Sequence, residues 1–455
     1  MMQKHHQRPS GSQRMSTVKS EAQQNSTAST EDASLTRYLM ERICERANLN
    51  QAYKRVKSNK GTAGVDGMSV DDLFSWIVTH KESLIESLLA GTYEPSLVRG
   101  VEIPKPGNKG VRLLGIPTVV DRLVQQAIHQ VLEPMFDPTF SESSYGFRPG
   151  RSAHQALKRA QEYVRDGYEI VVDIDVEKFF DRVNHDILMS RLANRIDDKR
   201  LLKIIRRFLE AGMMKQGVCI MRAEGMPQGG PLSPLMSNIL LDELDKELER
   251  RGHKFCRYAD DANIYVRSQR SGERVLDSMK KFLAKRLKLK VNEEKSDCAP
   301  VEKRQFLGYR LLNDGTLVIA KSSEKRLKDK IRKRTRRNRS VTLESVIADL
   351  TPLLRGWINY FQLTQWPTQA RDLDGWIRRK LRCYRLKQRK RKGSIVKFLV
   401  RLGVGPRDAW DLVLSERGWW PMSKTEPVHK AMGNAWFDKL GLYSLYKHPT
   451  LVKVY

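Results

Sequence analysis

Residues 255–266, FCRYADDANIYV, set two adjacent carboxylates, Asp260 and Asp261, between two short apolar, β-rich runs. Read as a hairpin, the segment puts both acids at the turn. Like charges so close repel, so the arrangement calls for a cation or a retained proton. Mg²⁺ suits it, because that ion binds through one or two carboxylates together with substrate phosphates. A second acidic run, VVDIDVEKFFDRVNHDIL (171–188), carries Asp173 and Asp175 on an apolar strand, where charge is costly without a partner. Strand alternation puts both on one face and does not choose between them. A third segment, GMPQGGPLSPLMSNILLDELDKEL (225–248), runs from a loop with Gly229 and Gly230 into a helix. Ser233 is the expected N-cap and Pro234 the first helical residue. Such a loop can hold phosphate or a template strand. Together the acids suit in-line phosphoryl chemistry, in which paired metals activate a hydroxyl and clamp phosphates.

These segments need elements to position them. Residues 1–33 are rich in Ser, Thr, Gln and Lys and read as a flexible tail. Leu35, Tyr38, Leu39, Ile43 and Ala47 recur at helical spacing, and Asp71–Leu89 predicts a second helix. VRGVEIPKPGNKGVRLLGIP (98–117) predicts a twisted hairpin, and Asp121–Leu132 a helix. EIVVDIDV (169–176) predicts a buried strand. Strands and helices mixed without regular alternation indicate α+β. From residue 321 the chain turns basic (KSSEKRLKDKIRKRTRRNR) and then aromatic; seven of its eight tryptophans lie at or after Trp357, which predicts a separate helical domain. In a helix over Arg371–Arg391, Leu373, Trp376, Ile377, Leu381 and Tyr384 form an apolar stripe, leaving Arg378, Arg379, Arg382, Arg385 and Lys387 as a basic face.

Composition narrows the partners. Over 455 residues, 83 Lys and Arg against 53 Asp and Glu give +30, an excess that points to a polyanion. Mean hydropathy is −0.55, and no apolar run approaches the ~18 residues of a spanning helix. The five cysteines are scattered, with no C-x-x-C pair, which excludes a zinc module or disulfide framework and reads as reduced thiols. The N-terminus has no apolar signal-peptide core.

In this order, the three segments resemble the motifs of bacterial group II intron reverse transcriptases, the intron-encoded maturases. IPKPGNKGVRLLGIPTVVDRLVQQAI (103–128) is similar to the family's fingers, and SSYGFRPGRSAHQAL (143–157) to its second conserved block. YADD resembles its catalytic turn, KVNEEKSD (290–297) and FLGY (306–309) its later palm motifs, and LLRGWINYF (353–361) its thumb, or maturase, signature.

The resemblance implies an α+β right-hand polymerase. Its parts would be the tail (1–33), an N-terminal extension (34–95), fingers and palm with an antiparallel sheet (96–320), an α-helical thumb or maturase domain (321–420), and a short basic segment (421–455) with no HNH endonuclease. It selects Asp175 over Asp173 as a metal ligand, with Val176 beside it, and makes Asp260 and Asp261 the other holders of two Mg²⁺ ions. Phe180 is expected against the incoming sugar, where its ring excludes a 2′-hydroxyl. Gln228 is expected beside nucleotide and template, Lys105, Lys109 and Arg112 at the triphosphate, and Lys295 as the acid that protonates departing pyrophosphate. His185 is expected to be structural. Arg148, Arg151, Arg378, Arg379, Arg382 and Arg385 are expected to bind nucleic acid. The implied activity is RNA-directed DNA synthesis with assistance to intron splicing. The implied partners are group II intron RNA, an RNA template–DNA primer duplex, target DNA and dNTPs, and no membrane. The implied place is a bacterial cytoplasm, at the nucleoid when on DNA. A free-standing reverse transcriptase in host repair or defence, and a non-catalytic splicing chaperone, are the rival readings.

Overall fold

Val, Ile and Leu alternating with polar residues make the strands, and where the chain buries both faces the run becomes continuously apolar. The computed structural model describes residues 36–104, 110–215, 217–415 and 417–452; the tail expected over 1–33 and the side chains of Lys105 and Lys109 lie outside the described residues. In chain order the strands are β1 (Val98–Pro104), β2 (Val111–Ile116), β3 (Ile170–Asp175), β4 (Met213–Lys215), β5 (Val218–Ile220), β6 (Lys254–Tyr258), β7 (Asp261–Val266), β8 (Asp297–Pro300), β9 (Tyr309–Leu311) and β10 (Leu317–Ile319). The predicted hairpin over 98–117 is present: β1 and β2 run antiparallel, from Arg99 opposite Ile116 to Pro104 opposite Val111. Short β4 extends this sheet parallel to β1, and β5 closes it, in the order β2-β1-β4-β5. The acidic strands belong to a second sheet, ordered β6-β7-β3-β8. The fold is α+β, as expected.

Contacts divide the chain into two units. One takes residues up to Ser152 with Asp173–Ile264 and Arg274–Asp297; the other takes Ala153–Val172, Tyr265–Glu273 and Cys298 onward. The Ala153–Arg165 helix and β9 and β10 belong to the second unit.

In the first unit, the Val119–Phe136 helix starts two residues before its predicted onset. Thr118 caps it, its Oγ1 accepting from the Asp121 amide at 3.1 Å and donating to the Asp121 carboxylate at 2.7 Å. The Ser233–Arg250 helix begins one residue off the predicted cap. Leu232 is the N-cap, and the Ser233 hydroxyl instead donates to the Pro227 carbonyl at 2.7 Å, pinning the Gly-rich loop.

The second unit is mostly helical. Leu327, Leu350, Leu354, Ile377 and Leu381 share one core with Phe437 and Leu445 from the chain's end, so the segment after 420 is part of this domain's packing. Each such side chain contributes about 1.5–3 kcal/mol by leaving water. The FLGY turn is tied to the LLRGWINYF helix (Leu343–Phe361): Tyr360 donates to the Leu307 carbonyl at 2.8 Å, and Tyr309 to the Tyr360 carbonyl at 2.6 Å. The helix predicted over Arg371–Arg391 spans Pro367–Gln388, its proline at the N-terminal turn where no amide donor is missed. Leu373, Ile377, Leu381 and Tyr384 are buried as predicted; Trp376 is only half-buried.

Candidate active site

Asp260 does sit between β6 and β7 and Asp261 opens β7, beside a turn held in a conformation its residues resist. Ala259 has φ 58°, the left-handed region that costs a residue with a Cβ roughly 1–2 kcal/mol. A buried network fixes it. The Arg257 side chain, 1% exposed, pairs with the fully buried Asp245, Nη2 to Oδ2 at 2.6 Å and Nε to Oδ1 at 2.7 Å. Its Nη1 donates to the Ala259 carbonyl at 2.8 Å and to Asn238 Oδ1 at 3.0 Å, and its Nη2 to Ser144 Oγ at 2.8 Å. Asn238 in turn donates to the Gly146 carbonyl at 2.9 Å. Gly146 lies so close to the Ala259 amide that a Cβ there would collide with it. The loop read as SSYGFRPGRS thus backs the catalytic-type turn, with Tyr145 donating to the Arg257 carbonyl at 2.9 Å.

Asp175 ends β3. Val172 and Ile174 are buried while Asp173 and Asp175 share the half-exposed face, as alternation requires. The Asp175 amide donates to Ser296 Oγ at 2.8 Å, and its carbonyl accepts from Asn292 at 2.8 Å. Val176 next to it bridges Val291. Segment 290–297 is therefore laced to the strand end, and Lys295 Nζ lies 3.2 Å from Asp175 Oδ1 and 3.1 Å from Oδ2.

Electrostatics ties the acids together. Burial pushes the Asp261 carboxyl up to about 7, with the charges of Asp173, Asp260 and Asp175 adding to it in that order. Asp260 is raised by burial and by Asp175, against the pull of Arg112 and Lys295. The structure so brings Asp175, Asp260 and Asp261 within range of one another, with Arg112 and Lys295 as nearby cations. It also adds Asp173, the larger carboxylate influence on Asp261, which the family pattern had set aside.

These residues fit a divalent metal. A carboxyl pushed up by burial and by neighbouring acids, as Asp261 is, can exchange its proton for a cation. Among the described residues, no group of three His, Cys, Asp or Glu is placed to hold a metal ion by itself, so an ion here would take much of its shell from water and substrate. An open set is what Mg²⁺ uses, since it keeps waters and takes the rest of its shell from substrate phosphates.

Around the acids, Phe179 is 2% exposed and plain core, while Phe180 is half-exposed and meets it edge-on at 5.3 Å. The Phe180 carbonyl accepts from Met226 at 2.7 Å, which seats the Gly-rich loop beside it. His185 is structural, its Nε2 2.5 Å from the Gly225 carbonyl. Gln228 lends its carbonyl to the Gly115 amide on β2 at 2.9 Å and keeps a half-exposed side chain. At Gly229, φ is 134° and a Cβ would strike the Gly115 carbonyl.

Of the arginines expected to bind nucleic acid, Arg148 and Arg382 are buried and the other four are part-exposed. Arg148 is 8% exposed, bound to the Asp137 carboxylate at 2.6 Å and to the Ser141 and Ser144 carbonyls; it braces the loop and presents no free charge. Arg151 pairs with Glu142. Arg382 is buried rather than on a basic face, donating to the Met432 carbonyl at 2.9 Å, with burial lowering it to about 10. Arg378 is 4.0 Å from Asp374, Arg385 is 4.0 Å from Glu344, and Arg379 stacks 3.9 Å above the Trp420 ring centre. A helical wheel assigns every arginine to solvent, but a guanidinium can lie on a ring and donate to carbonyls.

The chain resembles known proteins over most of its described length. Residues 103–311 match the family described as reverse transcriptase (RNA-dependent DNA polymerase), and residues 324–402 the group II intron, maturase-specific domain. Protein YkfC of Escherichia coli (strain K12) is 32% identical over 326 residues, covering 63% of this chain and 85% of that protein. Group II intron-encoded protein LtrA of Lactococcus lactis subsp. cremoris is 30% identical over 342 residues, covering 60% of this chain; the chain spans 57% of that protein's length. Among solved structures, a partial Cas6-RT-Cas1–Cas2 complex is 29% identical with a TM-score of 0.36, over 54% of this chain and 42% of that one.

Proposed function

The chain belongs to the family of group II intron-encoded reverse transcriptases with a maturase domain, RNA-directed DNA polymerases, and from that premise we propose how its own residues do the work. The gathering of Asp175, Asp260 and Asp261, in which Asp175 raises Asp260 and both of these raise Asp261, carries the reading. These three, with the Val176 main chain, would hold two Mg²⁺ ions, which would lower the pKa of a primer 3′-hydroxyl and neutralise charge on the phosphates as pyrophosphate leaves.

The chain's residues set up that reaction. The Arg257 network holds the Ala259 turn that carries both acids, and preorganisation of this kind spares reorientation during the reaction. Arg112, with Lys109 and Lys105, binds the triphosphate. Phe180 flanks the sugar and leaves no space for a 2′-hydroxyl. Gln228 lies beside the template base. Lys295, paired with Asp175, gives the departing pyrophosphate a proton.

The substrates are an RNA template–DNA primer duplex and dNTPs, and the nucleic-acid partners include intron RNA and target DNA. The helical domain after residue 321 assists intron splicing by binding RNA backbone through its cations, a salt-sensitive mode that reads shape. No helix among the described residues is long and apolar enough to cross a membrane. Primer extension on an RNA template with and without Mg²⁺, beside RNA binding by the same preparation, tests the reading.

A further inference from the structure

A cavity of about 220 Å³ opens in the helical domain, lined by Arg332, Arg337, Trp376, Lys380, Cys383 and Trp420. Three are cations, two are indoles, and none is an acid. Arg332 does meet Asp329 at 2.6 Å, on its own helix and outside the lining. Arg337 Nη1 lies 3.8 Å from the Cys383 thiol at the cavity's floor. Lys380 Nζ is 5.6 Å from the Trp420 ring centre, and Arg332 is 5.5 Å from that of Trp376. Behind Trp420, Arg379 stacks on the ring and donates to its carbonyl at 3.2 Å, while the buried Arg379 Nε finds no acceptor.

Neither bland account suits this lining. A packing defect is apolar and dry. A solvated basic face spreads its charges, whereas burial holds Lys380 below the ordinary lysine range, against an upward pull from Cys383 and with lesser help from Arg337 and Arg332. A bare phosphate has no use for two indoles, and an apolar side chain has none for three cations. A nucleotide uses both, since phosphate meets the cations and the base stacks on aromatic or guanidinium planes. The space is that of one flat ring system, not of a duplex.

We infer that this cavity takes a single unpaired nucleotide of a structured RNA, its phosphate on Arg332, Arg337 and Lys380 and its base against Trp376 and Trp420. The inference rests on the RNA-binding reading above and adds where a bulged or looped residue is gripped. Stacking tolerates any base, so the pocket selects for an unpaired residue rather than for sequence.

The test uses the full chain and two RNA hairpins identical but for one unpaired nucleotide, made in all four base versions. Fluorescence anisotropy at physiological salt is expected to show the bulged hairpins binding about tenfold more tightly than the perfect one. Lys380→Gln combined with Arg337→Gln is expected to bind both forms equally while still extending a DNA primer on RNA. Lys380→Arg keeps the preference, which separates lost charge from lost folding. A wild-type chain with no preference, or a double variant that retains it, overturns the pocket while leaving the polymerase reading intact. A wild-type chain that neither binds RNA nor extends a primer sinks that parent reading instead.

Discussion

Arg257 donates to the main-chain carbonyl of Ala259 at 2.8 Å, so a buried guanidinium holds the one left-handed residue on which Asp260 and Asp261 are hung. The same guanidinium is paired to Asp245, fully buried beside it. Placement of the acids thus depends on a charge pair that never touches substrate.

Arg257→Lys keeps a cation for Asp245 but lacks the fork that also reaches Ala259, Asn238 and Ser144. Single-nucleotide incorporation is expected to lose about 100-fold in kcat with little change in KM for dNTP, the signature of misplaced rather than missing groups. Arg257→Met leaves a buried carboxylate unpaired and is expected to cost about 3–5 kcal/mol in denaturant unfolding. An Arg257→Lys enzyme with normal kcat would show that the network serves folding alone.

Asp261 gives a pH dependence with a definite sign. Its folded value, about 7, lies above its ordinary 3.8, so between those values the native state keeps a proton that the unfolded chain releases. Stability from this group is whole at low pH and falls as pH rises through about 7. Asp261→Asn, which carries no charge, is expected to raise the thermal midpoint of the metal-free chain by several degrees at pH 8, and by little near pH 4. Scanning calorimetry in a chelator checks it; equal gains at both pH values would contradict the crowding of carboxylates.

The two adjacent phenylalanines should separate. Phe179→Ala empties a core position and is expected to cost about 3–5 kcal/mol of stability. Phe180→Ala, at a half-exposed ring, is expected to leave stability nearly unchanged and to raise rNTP incorporation relative to dNTP by about 10–100-fold. Competitive incorporation assays read the ratio directly, and an unchanged ratio removes Phe180 from sugar selection.

How far the sequence disclosed all this varied by kind of signal. The Asp260–Asp261 turn was legible because two β-rich runs bracket two acids with no spacer, and the hairpin over 98–117 because Pro and Gly punctuate it. The choice of Asp175 over Asp173 came only through the family pattern, since both share one strand face. The Arg257 network was not legible: Ser144 lies 113 residues away, and nothing in periodicity joins a loop serine to a strand arginine. A pairwise signal was there in principle, an arginine inside an apolar strand run with an aspartate in an apolar helix run. Arg148 was expected at nucleic acid through the resemblance and Arg382 on the basic face by helical spacing, but packing against carbonyls and rings buries both. Trp376 entered the predicted core stripe by spacing, yet it walls a cavity among cations.

The central claim is that Asp175, Asp260 and Asp261 carry a metal-dependent polymerase reaction separable from RNA binding. Single-turnover extension of a DNA primer on an RNA template, by the full chain and by Asp260→Asn, with Mg²⁺ and in chelator, tests it most directly. The expected result is extension by the wild type only with Mg²⁺, loss of at least about 1000-fold in Asp260→Asn, and RNA affinity within about twofold of wild type for both. Extension by Asp260→Asn at a rate near that of wild type would contradict the account.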